Sequence, residues 1–262
     1  MMDTSEREPS RLLSHGGRTA RAVLLLHGYT HDPSQFAGLG AELFARGYNV
    51  FIPRAPGHGL PDAHAHRSVT RRQLTTYGEE ALDLVKTLGD EVGIAGISGG
   101  AVLAARLATR RDSEVRRLLL LAPFFRPSPA QAPAALIDAM TVLYGRGLLP
   151  DRITTRGYSL RAVAQYLALA RTIRPRNARL DTLAMVLSRG DTVVDPRRAI
   201  AVATRLAGSS GIPLTLESIE GAGHDVLKVP GSEKLYADLY EGRPGHGPGP
   251  HTGATTPSAT AE

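Results

Sequence analysis

The sequence predicts an α/β protein built on a mainly parallel central sheet with helices on both faces. Short apolar runs of strand length alternate along the chain with longer stretches of helical periodicity. Most of those runs are apolar throughout, as strands covered on both faces must be. In addition, three residue types suited to nucleophilic catalysis fall just after three of the runs, where an open parallel sheet places its site.

Taken in order, a polar, charged leader of about 20 residues precedes a first strand near 22–26 and a helix near 34–46. A strand at 48–53 and a helix near 70–88 follow. The apolar run Glu91-Val92-Gly93-Ile94-Ala95-Gly96-Ile97 then leads into Ala101 to Ala108, a stretch of good helix formers with one charged position, Arg106. Arg117 to Ala122 reads as a further buried strand. After Pro123 the alternation lapses, and two helical stretches near 130–144 and 159–173 form an insertion that runs to about residue 180. Strands resume with Thr182 to Ser188 and with the run from Pro213 to Ile219, separated by a helix after Pro196. A closing helix spans roughly Ser232 to Tyr240, and from Gly242 to Glu262 the chain lacks periodicity and reads as a disordered tail. The core is thus expected over 21–122 and 181–241, with the insertion at 123–180 between its halves.

Composition narrows the classes. At 262 residues and 42% hydrophobic content, the chain can bury one sizeable core. The absence of cysteine excludes a disulfide scaffold and a thiol nucleophile. The formal charge of +6 comes almost entirely from scattered arginines, with no basic arm interleaved with aromatic residues, so no nucleic-acid partner is expected. No run of about 18 apolar residues occurs, which argues against a membrane span. The N-terminal stretch lacks an apolar signal-peptide region, and the expected location is cytoplasmic.

The chemistry centres on Gly96-Ile97-Ser98-Gly99-Gly100. Between a strand and a helix, a serine flanked by glycines can make a sharp turn that lifts its hydroxyl out at the strand end. A serine hydroxyl needs an imidazole to take its proton, and the imidazole needs an orienting carboxylate. Asp191 follows the strand at 182–188, and His224 follows the strand ending at Ile219. Two other aspartates compete for the acid. Asp195 precedes Pro196, the arrangement of a helix N-cap with proline at the first helical position. Asp225 is the chain neighbour of His224 and is expected to point elsewhere, so Asp191 is favoured.

With the order Ser, Asp, His on successive strand ends, the chain resembles the α/β-hydrolase superfamily over roughly residues 20 to 242. The segment Val23-Leu24-Leu25-Leu26-His27-Gly28-Tyr29 is similar to the strand and loop that supply that family's oxyanion hole. The resemblance implies an α/β-hydrolase fold and assigns the oxyanion donors to the backbone NH groups of Tyr29 and Gly99. Together with the segment from Pro53 to Gly59, the motif from Leu26 to Thr30 looks most like bacterial carboxylesterases and monoacylglycerol lipases.

The insertion then corresponds to a helical cap over an acyl pocket, to which Phe124 and Phe125 could contribute; burial in the core is an equal alternative for both. Leu136, Met140, Leu143 and Tyr144 recur at helical spacing and could face substrate or sheet. The expected function is cleavage of a small carboxylic ester through an acyl-serine, with neither cofactor nor metal. An acyltransferase, amidase or peptidase would use the same residues, and a ligand-binding receptor could share the scaffold. His58, His64 and His66 lie in a loop rich in proline and glycine without a metal-binding spacing and are expected to be solvated.

Overall fold

The computed structural model describes residues 9–60, 62, 64–155, 157–174 and 179–243. Its centre is a seven-stranded sheet, in chain order β1 (Arg11–Leu13), β2 (Thr19–Leu26), β3 (Tyr48–Ile52), β4 (Gly89–Ile97), β5 (Arg117–Leu121), β6 (Thr182–Ser188) and β7 (Thr215–Ile219). The spatial order is β1-β3-β2-β4-β5-β6-β7. Every pairing is parallel except that of β1 with β3, where Leu12 faces Phe51.

β1 departs from the expected leader. Arg-Leu-Leu is too short and too exposed to show a strand pattern, yet it adds an antiparallel edge to β3. Residues 1–8 of that leader, and the expected tail from residue 244 onward, lie outside the described residues.

Among the described residues six helices lie between strands, α1 (Ala37–Ala45), α2 (Arg71–Leu88), α3 (Gly99–Arg110), α4 (Ala134–Gly145), α5 (Leu160–Ala170) and α6 (Pro196–Ser210), and a seventh, α7 (Ser232–Glu241), follows β7. Local chemistry fixes their ends. The Thr70 hydroxyl accepts the N–H of Gln73 while the Gln73 side chain accepts the Thr70 N–H, closing a capping box on α2. Asp195 accepts the N–H of Arg198, Pro196 opens α6, and Gly211 closes it in the left-handed conformation.

The two-residue period of the strands divides the interior into two layers. On β2, Ala22, Leu24 and Leu26 face α2 and α3, while Val23 and Leu25 face α1 and α7. All five are fully buried, which is why this strand reads as an unbroken apolar run. The segment between β5 and β6 contributes α4 and α5, which pack on each other, and α5 also packs on α3. Residues of these helices lie beside the carboxyl end of β4, where the chain emerges at Ser98.

Candidate active site

Ser98 joins β4 to α3 with φ 54° and ψ −115°, in the left-handed region that side-chain-bearing residues rarely adopt. Such a turn needs room behind it. A Cβ at Gly100 would collide with the backbone carbonyl of Leu26, so glycine there lets the start of α3 lie against the end of β2. The same approach brings the loop after β2 alongside the serine.

The carboxyl ends of β6 and β7 supply the partners. His224 Nε2 lies 2.8 Å from Ser98 Oγ, and His224 Nδ1 lies 2.7 Å from Asp191 Oδ2. Because the carboxylate can only accept, the ring proton sits on Nδ1 and leaves Nε2 to accept from the hydroxyl. Asp191 is itself held: its Oδ1 accepts the N–H groups of Val193 (2.7 Å) and Val194 (3.2 Å), and its side chain is 3% exposed. Asp195 caps α6 and Asp225 lies 3.4 Å from His31 Nε2, so neither of the competing acids meets His224 through its carboxylate in this arrangement.

The loop after β2 presents backbone donors. The Gly28 N–H is committed to Gln35 Oε1 (2.9 Å), and that of Ser98 to the Leu121 carbonyl (2.9 Å). The N–H groups of Tyr29 and Gly99 make no hydrogen bond among the described residues. The latter belongs to the first turn of α3, whose N–H groups have no partner within the helix and carry its positive dipole end.

A cavity of about 500 Å³ opens beside Ser98 and His224. Its walls include Tyr29, Phe124, Met140, Tyr144, Tyr158 and Tyr166, so it is apolar and aromatic with few polar groups. Of the helical set on α4, Leu136, Met140 and Tyr144 turn inward, while Leu143 does not reach the cavity. Of the two phenylalanines, Phe124 lines the cavity and Phe125 does not. Successive side chains diverge at the end of β5, and Phe125 is buried in the core beneath the site.

The histidines of the loop after β3 give a correction. His58 and His66 are buried, and His64 alone of the three is exposed. His58 packs against the rings of His27, Tyr29 and His66, forming a cluster behind the loop that follows β2. Burial pushes His27 down to about 4 and His58 down to about 3. His27 Nε2 accepts the Ala55 N–H (3.0 Å), which places its proton on Nδ1 beside the Gly28 carbonyl (3.0 Å). Among the described residues no set of three or more His, Asp or Glu side chains is grouped to hold a metal ion.

Gln35 was not identifiable from the sequence as part of this region. It lies in a single 3-10 turn, where no periodicity marks which side chain reaches back to the strand.

The sequence profile of the Alpha/beta hydrolase family matches residues 23–233, most of the chain. The chain belongs to the α/β-hydrolase family. This α/β hydrolase is 27% identical over 184 residues to the thermostable monoacylglycerol lipase of Bacillus sp. (strain H-257), a match covering 68% of this chain and 73% of that protein. Among solved structures, it is similar to one from the work on the metagenome-derived lipolytic enzymes LipS and LipT (TM-score 0.70, 18% identity, 90% of this chain and 96% of that one). It is also similar to the monoacylglycerol lipase of Paleococcus ferrophilus (TM-score 0.66, 16% identity, covering 88% and 96%). At such identities the structural matches speak for the α/β-hydrolase fold alone. No helix among the described residues is long and apolar enough to cross a membrane.

Proposed function

We propose that this α/β hydrolase is a serine carboxylesterase, similar in activity to monoacylglycerol lipases, acting on esters with an apolar acyl chain. The observation that carries the reading is the unbroken contact from Asp191 through His224 to Ser98 Oγ, at 2.7 and 2.8 Å. His224 takes the Ser98 proton as Oγ bonds to the ester carbonyl carbon. Asp191 holds the imidazole tautomer and stabilises the imidazolium that forms. The N–H groups of Tyr29 and Gly99 receive the developing oxyanion, a contribution of about 3–4 kcal/mol per donor at comparable sites.

Collapse of the tetrahedral intermediate breaks the C–O bond to the alcohol, which leaves with the proton from His224. Water then attacks the acyl-serine, with His224 again as base, releasing the acid and restoring Ser98. In this scheme α4 and α5 act as a cap that excludes water from the acyl chain and sets its length. The similarity to the Bacillus monoacylglycerol lipase supports an ester substrate.

The test is a time course with aryl esters from acetate to long-chain acyl groups, run beside Ser98→Ala. Sustained turnover with an optimum chain length, lost in the variant, is the expected result. A single stoichiometric burst, or full turnover without Ser98, would overturn it.

A further inference from the structure

A second concavity, of about 840 Å³, lies between the N-terminal turns of α2 and the outer faces of α4 and α5. Arg71, Arg72, Arg146 and Arg161 all line it, together with the threonines Thr75 and Thr76, and no carboxylate does. None of these four arginines forms an ion pair among the described residues. Some arginines elsewhere are balanced, as Arg111 is by Glu79, Asp83 and Glu114 and Arg46 by Glu42, Asp238 and Glu241, while others such as Arg110 and Arg205 are not among the described residues; what distinguishes the groove is that four such guanidinium-bearing residues line one concavity. Asp151, in the segment between α4 and α5, is engaged by the Ser159 hydroxyl and the Arg161 backbone N–H. A fifth guanidinium at the rim, Arg171, is compensated by Asp138 (2.5 Å).

The placement of this charge runs against helix electrostatics. Arg71 and Arg72 occupy the first turn of an 18-residue helix that has no acidic residue there, although a helix N-terminus favours negative charge. Arg161 Nε is buried without an acceptor. The floor is nevertheless a fixed structure. Gln165, buried, accepts the Arg71 N–H at 2.9 Å and donates to the Gly145 carbonyl at 3.1 Å, tying α2 to α4 through α5.

We propose that this groove is a binding site for a small soluble molecule carrying two or more phosphate groups. Planar guanidinium forks match phosphate oxygens in pairs, and several converging forks select a multiply charged ligand over a single anion. The N–H groups of Arg71 and Gln73 are already taken by Gln165 and Thr70, so the α2 terminus adds only the Arg72 N–H, beside the hydroxyls of Thr75 and Thr76. Because α4 and α5 turn their other faces to the Ser98 cavity, such a ligand would sit against the back of the acyl-pocket wall.

The experiment is calorimetric titration of the full chain with sodium tripolyphosphate at low ionic strength, with orthophosphate alongside. Binding is read directly and does not depend on turnover, so its outcome is separate from that of the esterase reading. Saturable binding at one equivalent is expected, at least tenfold tighter than orthophosphate and weaker as salt is raised. The exposed pair Arg71→Gln/Arg146→Gln should weaken it at least tenfold, and Arg72→Gln should weaken it with the backbone donors intact. Arg189→Gln, at a distant exposed arginine paired with Glu220, should bind as the parent does. Absence of saturable binding, or equal weakening by Arg189→Gln, would overturn the proposal. So would sedimentation with anionic phosphatidylglycerol vesicles that tripolyphosphate fails to reverse, since it would make the groove a membrane contact.

Discussion

Gly190 lies against the backbone carbonyl of Ala222, so closely that a Cβ at position 190 would come within 2.6 Å of that oxygen. The Ser188 hydroxyl donates to the same carbonyl. These contacts bring the loop after β6 against the loop after β7, and the two loops carry Asp191 and His224. The spacing between Asp191 and His224 is therefore set by a backbone contact, one residue before Asp191 and two before His224.

Gly190→Ala should consequently separate the loops and leave the sheet intact. A displacement of about 1 Å can cost roughly 100-fold in rate. We expect kcat on an aryl ester to fall by about 10- to 100-fold while the thermal transition moves by only a few degrees. Unchanged kcat would show that the loops tolerate the displacement.

Asp191 and Asp195 should separate by the quantity they affect. Asp191→Asn is expected to lower kcat by about 10⁴-fold, because an amide no longer fixes the imidazole tautomer. Asp195→Ala removes the side-chain cap of α6 and should cost about 1 kcal/mol of stability with little change in rate. Parallel measurement of kcat and urea unfolding distinguishes them, and the reverse ranking in kcat would move the acid to Asp195.

Adjacent phenylalanines should behave differently. Phe125→Ala empties a buried site and should destabilise the protein by about 3–5 kcal/mol. Phe124→Ala instead enlarges the cavity beside Ser98 and should shift the preferred acyl chain toward greater length at a much smaller cost in stability. Chain-length profiles and denaturation of both variants check this.

Acid should weaken the fold through the histidines behind the loop that follows β2. His27 and His58 are depressed in the folded state to about 4 and about 3 by burial, against about 6.5 unfolded. The unfolded chain thus binds more protons below pH 6.5. Their neutral burial is undisturbed above that pH, and stability is lost as pH falls from 6.5 toward 4 and 3. At pH 5 the loss should be about 2 kcal/mol for each residue. His58→Gln should flatten the decline in unfolding free energy between pH 7 and 5, whereas an equally steep decline would place the acid sensitivity elsewhere.

Much of this architecture is legible in the sequence because a parallel sheet covered on both faces demands continuous apolar strands. The runs ending at Leu26, Ile97, Leu121 and Ser188 meet that demand, and the elbow serine and the loops bearing Asp191 and His224 follow from where such strands end. β1 is not legible, since three half-exposed residues at a sheet edge carry no period. Nor is the burial of His58 and His66, because a loop of proline, glycine and histidine has no repeat to show which side chains turn inward. Phe124 and Phe125 look alike until the direction of the chain after β5 separates them. The arginine groove assembles from residues about 75 to 90 positions apart, and only the packing of α4 and α5 beside α2 brings them together.

The measurement that tests the central claim most directly is the mass of the protein quenched in acid during turnover of an aryl ester. The account predicts a species heavier by one acyl group, the modification mapping to Ser98 and disappearing in Ser98→Ala. Ester hydrolysis at full rate with no acyl group on Ser98, or with the acyl group on another residue, would contradict it.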